Sequence, residues 1–294
     1  MSIGAPTADA GTAEPWVPAY AGTAVAEERP DPAGGVRIDG IDLAQPLAAA
    51  NKATIWRAFL EHHIVVFPGQ SLTREEQFAF AAQFGEVESH GTHRGESKPQ
   101  NRAHVLSNLD AAGKPVFRFS RAANYHWHTD KPYLPAPPML TMLHAVELPP
   151  LRENGHGGDT EFANTALAYA TLPDAAKQQI AGLRAAFRPA FDPEAPGADH
   201  PLVRTHPESC AKALYLGNHA THIVGLSPGE STRLLRELLA HATQRRFVYA
   251  HRWRIGDVVM WDNRCLLHRG VLNYAADRYR RILHRSVVRG SVPS

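Results

Sequence analysis

Residues 279–288 read Tyr279-Arg280-Arg281-Ile282-Leu283-His284-Arg285-Ser286-Val287-Val288, a composition typical of a β-strand. Alternate side chains of a strand share a face, so Arg281, Leu283 and Arg285 are expected to point the same way. Two guanidinium groups on one face of a buried strand are unfavourable unless each meets an anion. Arginine suits bidentate recognition of a carboxylate or sulfonate. The segment therefore predicts either a strand that lines an anion site or a solvated edge strand that carries positive charge.

Short apolar runs recur along most of the chain. They predict further strands at residues 35–41, 64–67, 105–108, 138–148, 203–205, 213–216, 248–253 and 257–261. Helical patterns are fewer, at residues 51–62, 74–84, 165–172, 173–183 and 228–241. Because the helices do not alternate with the strands, a doubly wound α/β sheet is disfavoured. The pattern favours a mainly β fold, either a β-sandwich or a jelly roll, with flanking helices.

The first 35 residues differ in composition from the rest. They contain nine Ala, five Pro and five Gly and show no sustained hydrophobic period. We expect residues 1–35 to form a flexible N-terminal arm without its own core. Since no repeat or midway linker follows, residues 36–294 are predicted to form a single domain.

The overall composition excludes several classes of protein. The chain has 31 basic and 29 acidic side chains, a net charge of +2, which gives no reason to expect nucleic acid or an anionic membrane as a partner. No apolar run approaches the roughly 18 residues of a membrane span. With no Lys or Arg before Arg29 and only two cysteines, neither a signal peptide nor a disulfide framework is expected. These features predict a cytoplasmic protein.

The segment Trp127-His128-Thr129-Asp130 carries the sharpest chemical signal. In an extended chain His128 and Asp130 lie on the same face. Together with a distant histidine they would form a 2-His-1-carboxylate triad, which leaves positions on Fe(II) open. His268, 138 residues after Asp130, is the candidate third ligand. Taken alone, His128 and Asp130 are a weak signal that two unrelated polar residues would also explain, and His268 is compatible with a capping or core histidine.

Several motifs together resemble the taurine dioxygenase and phenoxyacetate-herbicide dioxygenase family of Fe(II)/2-oxoglutarate-dependent oxygenases. The resemblance runs from about Gly35 to Arg289. It implies a double-stranded β-helix, which is a cupin-like jelly roll. Besides the two segments already quoted, the motifs that carry it are Gly40-Ile41-Asp42-Leu43, Phe84-Gly85-Glu86, Gly157-Gly158-Asp159-Thr160, His200-Pro201-Leu202-Val203-Arg204-Thr205-His206-Pro207 and Trp261-Asp262-Asn263-Arg264.

The resemblance implies a role for each residue of the metal and co-substrate sites. His128, Asp130 and His268 correspond to the iron ligands. Arg281 stands where the family binds the distal carboxylate of 2-oxoglutarate, and Thr160 supports the same group. The implied reaction consumes O2, releases succinate and CO2, and hydroxylates a C–H bond. Halogenating relatives lack the carboxylate, so Asp130 favours hydroxylation.

The substrate site is implied less completely. Arg285 stands where taurine-type members hold the acid group of the substrate, and Asn124 and His90 resemble substrate contacts. Lys131, next to the metal motif, is either a second cation in the pocket or a solvent-facing lysine. We therefore expect a small anionic organic substrate: a sulfonate, sulfate ester, phosphonate, or aryloxy or other carboxylic acid.

Two other functions remain open from the residues alone. A zinc-dependent hydrolase could use the same His, Asp and His ligands, and a non-catalytic binding module could retain the pocket. The long connection at residues 149–157 is either a lid over the site or a surface excursion. Relatives in the family often associate, so a homo-oligomer, either a dimer or a tetramer, is expected.

Overall fold

The computed structural model describes residues 27–28, 33–88, 101–117, 124–152, 155–189, 192 and 195–294. In chain order its strands are β1 (Glu27–Glu28), β2 (Val36–Ile38), β3 (Ile64–Phe67), β4 (His104–Ser107), β5 (Leu140–Glu147), β6 (Leu151–Arg152), β7 (Gly155–His156), β8 (Thr160–Asn164), β9 (Arg184–Phe187), β10 (Ala198–Pro201), β11 (Val203–Thr205), β12 (Lys212–Leu214), β13 (Ala220–Ile223), β14 (Val248–His251), β15 (Val258–Asp262), β16 (Leu266–Gly270) and β17 (Ile282–Val288). The helices are α1 (Ala49–His62), α2 (Arg74–Ala82), α3 (Thr165–Ala170), α4 (Asp174–Ile180) and α5 (Pro228–Ala242).

The largest sheet has the strand order β1-β2-β3-β15-β5-β17-β4. Its pairs are antiparallel except for β2 and β3. A second sheet has the order β14-β8-β16. Two smaller sheets have the orders β10-β9-β13 and β11-β12, and their strands lie between β8 and β14 in the sequence. The predicted jelly roll, mainly β with flanking helices, is confirmed.

Alternation along the central strands creates two apolar faces. Ile64 and Val66 of β3 pack with Val259 and Trp261 of β15 in a cluster that also contains Phe162 of β8. This cluster joins the two larger sheets face to face. The opposite face of β3 and β15 packs against α1 and α2 through the residues Val65, Phe67, Val258, Met260, Ile55, Phe59 and Phe80.

The helix that covers this outer face begins where the sequence predicts it. The Thr73 hydroxyl accepts a hydrogen bond from the backbone N–H of Glu76, and the Glu76 carboxylate accepts one from the backbone N–H of Thr73. This capping box satisfies two N–H groups at the start of α2. Ser227 and Glu230 form a second capping box at the start of α5.

Strand-forming residues begin before residue 36, on the N-terminal side of the predicted boundary. β1 pairs with β2, and Ala33 is buried. The backbone N–H of Gly35 donates to the carbonyl of His62 at 3.1 Å. Most of the predicted arm, residues 1–26 and 29–32, lies outside the described residues, so its flexibility stays a prediction. None of the described helices is long and apolar enough to cross a membrane.

Candidate metal centre and active site

Two strand segments bring the predicted histidines together. His128 and His268 form an antiparallel bridge in which each backbone N–H donates to the other's carbonyl, at 3.0 and 2.7 Å. β16, which carries His268, pairs with β8 of the second sheet. The two imidazole rings consequently lie 4.2 Å apart, centroid to centroid.

Asp130 completes the group that the sequence predicts. One nitrogen of His128, one nitrogen of His268 and one carboxylate oxygen of Asp130 all lie within 4.8 Å of one another. His128 Nδ1 lies 2.8 Å from the carbonyl oxygen of His126. A carbonyl only accepts, so Nδ1 carries the proton and Nε2 offers its lone pair. The three side chains can therefore bind one face of a metal ion.

The protonation states also suit a metal. Burial lowers the pKa of His268 to about 3 and also lowers the pKa of His128. Burial alone would raise the pKa of Asp130, but interactions with His268 and Arg285 outweigh it and lower that pKa to about 2. At neutral pH the imidazoles are therefore neutral and the carboxylate is ionised, which is the state that metal ligation requires.

The cavity beside these ligands has a volume of about 100 Å³. Its apolar wall comprises Leu106, Leu143, Leu283 and Trp261. A larger cavity of about 210 Å³ adjoins it and includes Tyr125 and Tyr274. Arg281 and Asn124 line both spaces.

Arg281 lies immediately before β17, which begins at Ile282 rather than at residue 279 as predicted. Its Nη2 donates to the carbonyl of Gly158 at 2.8 Å. Its Nε is buried and, among the described residues, has no hydrogen-bond partner. Burial lowers the pKa of this guanidinium. Arg281 thus offers a desolvated N–H donor at the edge of the cavity.

The backbone of Gly158 permits this placement. Its φ is +86°, and a Cβ there would lie 2.5 Å from Arg281 Nε. A side chain at residue 158 would therefore collide with the guanidinium, which explains glycine at this position of the Gly157-Gly158-Asp159-Thr160 motif. Thr160 follows on β8, and its hydroxyl accepts a hydrogen bond from Trp253 Nε1 at 3.0 Å. The Thr160 proton is then available to a ligand in the cavity.

The predicted substrate residues divide into three groups. Arg285 lines the metal cavity together with Asn124, and its Nε is buried without a partner among the described residues. Lys131 has a φ of 45°, and its ammonium pairs with the Glu88 carboxylate, so its charge is already balanced. His90 lies outside the described residues.

Some residues around the site were not predicted from the sequence. Thr141 on β5 donates to Asp130 Oδ2 at 2.5 Å, and Trp253 supports Thr160. His219 lies with its ring 6.4 Å from that of His128. Thr141 lies 11 residues from its partner and Trp253 lies 93 residues from its partner, and a single sequence carries no pattern that links such positions.

Comparisons with known proteins agree with this site. The sequence profile of the Taurine catabolism dioxygenase TauD, TfdA family matches residues 27–287. The alpha-ketoglutarate-dependent 2,4-dichlorophenoxyacetate dioxygenase of Cupriavidus pinatubonensis is 39% identical over 256 residues, which are 79% of this chain and 87% of that protein. The alpha-ketoglutarate-dependent sulfate ester dioxygenase of Pseudomonas putida is 32% identical over 88% of this chain and 87% of its own length.

Solved structures show the same relationship. AAD-2, crystallised in complex with Mn(II) and N-oxalylglycine, superposes with a TM-score of 0.81 and 31% identity, and the match covers 92% of this chain and 99% of AAD-2. A taurine dioxygenase from Burkholderia xenovorans superposes with a TM-score of 0.74 and 33% identity, over 91% of this chain and 92% of its own. With its jelly roll, its His-Asp-His centre and these relatives, the chain belongs to the TauD, TfdA family of dioxygenases.

Proposed function

We propose that this protein is an Fe(II)- and 2-oxoglutarate-dependent dioxygenase that hydroxylates a small anionic organic molecule and releases succinate and CO2. The observation that carries the proposal is the placement of two arginines on the wall of one cavity with the His128, Asp130 and His268 ligands. One arginine per anion accounts for two anionic ligands, a co-substrate and a substrate.

His128, Asp130 and His268 would hold the iron. Two neutral imidazoles and one carboxylate are the donor set of non-haem Fe(II) oxygenases, and three protein ligands leave positions for a 2-oxo acid and O2. The bound iron supplies O2 activation coupled to decarboxylation of the 2-oxo acid. The protein's own contribution is to orient both organic molecules and to keep water from the site.

Arg281 and Thr160 would bind the distal carboxylate of 2-oxoglutarate. Arg281 offers its buried Nε, and Thr160 offers a hydroxyl whose oxygen is already occupied by Trp253. A carboxylate is the complementary acceptor for both donors. AAD-2 was crystallised with N-oxalylglycine, which has the two terminal carboxylates of 2-oxoglutarate. That relative therefore supports an equivalent ligand here.

Arg285 would hold the acid group of the substrate, while Leu106, Leu143 and Leu283 contact its apolar part. This combination favours an anion with an apolar body, as in the aryloxyacetates and sulfate esters named for the relatives. Asn124, on the shared wall of the two cavities, and Lys131, beyond the metal motif, are proposed to complete the substrate site together with His90. Hydroxylation of a carbon bonded to an ether oxygen would yield a phenol and an oxo acid.

The first test is an anaerobic titration of the metal-free protein with Fe(II) and then 2-oxoglutarate, followed by visible absorption. The proposal predicts a charge-transfer band in the wild type and its absence in His128→Ala. Bound iron without a band would contradict the co-substrate site. It would instead favour a hydrolase or a binding module, neither of which requires O2.

The substrate class is tested by succinate release with aryloxyacetates, aryloxypropionates, sulfate esters, sulfonates and phosphonates. For the best of them, Arg285→Ala is expected to raise KM about 10- to 100-fold, the loss of one hydrogen bond to a charged group, with little change in the KM for 2-oxoglutarate. Arg289→Ala is the matched control, since Arg289 pairs with Glu86 on the surface. An equal effect of both variants would remove Arg285 from the substrate site.

A single domain that includes residues 36–294 and the strand β1 before them, a dimeric or tetrameric assembly and a cytoplasmic location complete the proposal. The near-neutral net charge of +2 supports a small molecule rather than nucleic acid as the partner. Light scattering of the purified protein tests the assembly, and a monomer at micromolar concentration would contradict it.

A further inference from the structure

A buried hydrogen-bond chain ends on the carboxylate of Asp130. The Thr141 hydroxyl donates to Asp130 Oδ2 at 2.5 Å, and it accepts from Asn263 Nδ2 at 2.9 Å. Asn263 Oδ1 in turn accepts from Trp261 Nε1 at 3.1 Å. The side chains of Thr141, Asn263 and Trp261 are each no more than 1% exposed, so water does not compete for these groups.

The direction of the chain follows from its first donor. An indole N–H can only donate, so the Asn263 oxygen faces Trp261 and its NH2 faces Thr141. The Thr141 oxygen receives that N–H, so its single proton is directed at Asp130. All three hydrogen bonds therefore run one way, toward Asp130, and each polarises the next.

Packing on β5 does not require the hydroxyl group of Thr141, whose hydrogen bonds run to Asp130 and Asn263. β5 directs Thr141, Leu143 and Ala145 toward the core between the sheets, where Leu143 and Ala145 are apolar. Valine would have the same shape and as strong a preference for strands. A buried hydroxyl among apolar neighbours is favourable only when it is hydrogen-bonded, and its partners here are Asp130 and Asn263.

We propose that Thr141 is a positioning residue that restricts Asp130 to one metal-binding oxygen, an inference that rests on the proposed function. The hydroxyl takes one of the two lone pairs of Oδ2, which makes Oδ1 the better metal ligand. Carboxylates can otherwise bind a metal through both oxygens. A second bond from Asp130 would take one of the positions that a 2-oxo acid and O2 require. Thr141, through Asn263 and Trp261, keeps that position open.

The test compares Thr141→Val with Thr141→Ser and with Thr165→Val. Thr165 is an equally buried threonine whose hydroxyl donates to the Cys265 carbonyl at 2.8 Å, so its valine variant reports the loss of a buried hydroxyl away from the metal. Each metal-free variant is titrated with Mn(II) and followed by electron paramagnetic resonance. Each is then titrated anaerobically with Fe(II) and 2-oxoglutarate to record the charge-transfer band.

Thr141→Val is expected to change Mn(II) affinity 10- to 100-fold, the range for residues that orient a metal ligand, and to shift the charge-transfer band. Thr141→Ser is expected to restore both within about threefold, whereas Thr165→Val leaves both unchanged. If Thr141→Val does not fold, Thr141→Ala carries the same expectation.

Two outcomes would overturn the inference: wild-type affinity and spectrum in Thr141→Val, or equal losses in Thr141→Val and Thr165→Val. Failure of the proposed function looks different, because the wild type itself would then bind Mn(II) without forming a band with Fe(II) and 2-oxoglutarate. In that case the Mn(II) titrations still measure the effect of Thr141 on Asp130.

Discussion

Among the described residues, two clusters place three metal-type donor atoms within 4.8 Å of one another. One is the centre formed by His128, Asp130 and His268. The other is formed by His63, Asp262 and Cys265. Each cluster contains at least one imidazole and one carboxylate, but the two clusters share no residue. They differ in whether the lone pairs of the carboxylate are free.

Both oxygens of Asp262 are already bound. Arg264 donates through its backbone N–H and Nε to Oδ1 at 2.9 and 2.8 Å, and through Nη2 to Oδ2 at 2.7 Å. His206 Nε2 lies 2.9 Å from Oδ2. Burial would raise the pKa of Asp262, but these hydrogen bonds lower it strongly. The second cluster is therefore an ion-pair network that braces the turn before β16, and a cation would have to displace Arg264.

Asp130, in contrast, accepts one side-chain hydrogen bond from the described residues, from Thr141, and opens onto a cavity. Its neighbouring cation Arg285 lowers the pKa of the carboxylate without blocking both oxygens. The comparison teaches that proximity of donor atoms does not make a metal site. A metal also needs an unoccupied lone pair on each ligand and space beside them.

The largest expected effect separates the two clusters by metal affinity. His128→Ala removes a ligand and is expected to lower Fe(II) affinity by more than about 100-fold, beyond the range for residues that only orient ligands, and to abolish turnover. His63→Asn is the matched control, because asparagine tolerates the positive φ of 62° at this residue. Anaerobic calorimetry with Fe(II) measures both variants. Equal Fe(II) affinities in the two variants, or a loss of Fe(II) affinity in His63→Asn, would contradict the assignment of the iron site to His128, Asp130 and His268.

Asp262→Asn is expected to affect folding rather than metal binding. It removes one of the two carboxylates that pair with the buried Arg264 guanidinium, and Glu208 remains hydrogen-bonded to Nη1. The expected loss of unfolding free energy is therefore below the about 3–5 kcal/mol that breaking a buried ion pair completely costs. Asp130→Asn should do the opposite, with metal affinity lost and the stability of the metal-free protein changed less. Urea denaturation of both metal-free variants checks this difference. If Asp262→Asn proves too unstable, Arg264→Lys tests the same network more mildly.

The sequence predicted which residues would supply the donor atoms, but it did not predict the difference between the hydrogen bonding of Asp130 and that of Asp262. The spacing of His128 and Asp130 and the alternation of Arg281 and Arg285 are local patterns, and the structure brings these residues to one cavity. Arg264, two residues from Asp262, is a local partner, but the other two partners are not. Thr141 lies on β5, 11 residues from Asp130, and His206 lies 56 residues from Asp262. No periodicity in a single chain encodes such pairings.

The same contrast holds for secondary structure. β3 was predicted to the residue because four apolar residues precede Pro68 and Gly69. The start of α2 was predicted from its capping box, but the helix ends at Ala82 rather than at residue 84. β8, β9, β10, β13 and β16 were missed. These strands have four or five residues of mixed polarity, such as Thr160–Asn164 of β8, whose pairing partners β14 and β16 lie far along the chain. The strand predicted at 279–288 begins only at Ile282, three residues later than predicted.

A smaller effect concerns one buried and one half-buried histidine that lie outside both clusters. His144 and His284 lie opposite each other on β5 and β17, with ring centroids 6.0 Å apart, and among the described residues no third ligand joins them. Burial, followed by the influence of His144 and Arg74, lowers the pKa of His284 to about 4, although Glu75 opposes this. The unfolded chain, with a histidine pKa near 6.5, therefore binds the proton first.

Stability should accordingly fall as pH decreases from about 6.5 to about 4, because protons favour the unfolded state in this range. His284→Gln is expected to flatten this dependence without changing iron affinity at pH 7.5. Thermal denaturation of the metal-free protein at a series of pH values measures it. An unchanged slope in His284→Gln would show that other groups control acid unfolding.

The smallest effect belongs to Cys265, the third member of the second cluster. Burial raises the pKa of its thiol well above the ordinary value, and only the thiolate binds a metal or reacts with thiol reagents. Cys210 is exposed, so a thiol reagent should modify one of the two cysteines in the native protein and both after unfolding. Added Zn(II) should leave the reactivity of the native protein unchanged, since a zinc-bound thiolate at Cys265 is the arrangement that the Asp262–Arg264 pair prevents. Rapid labelling of Cys265, or its protection by Zn(II) during unfolding, would instead show that the second cluster can open and accept a metal.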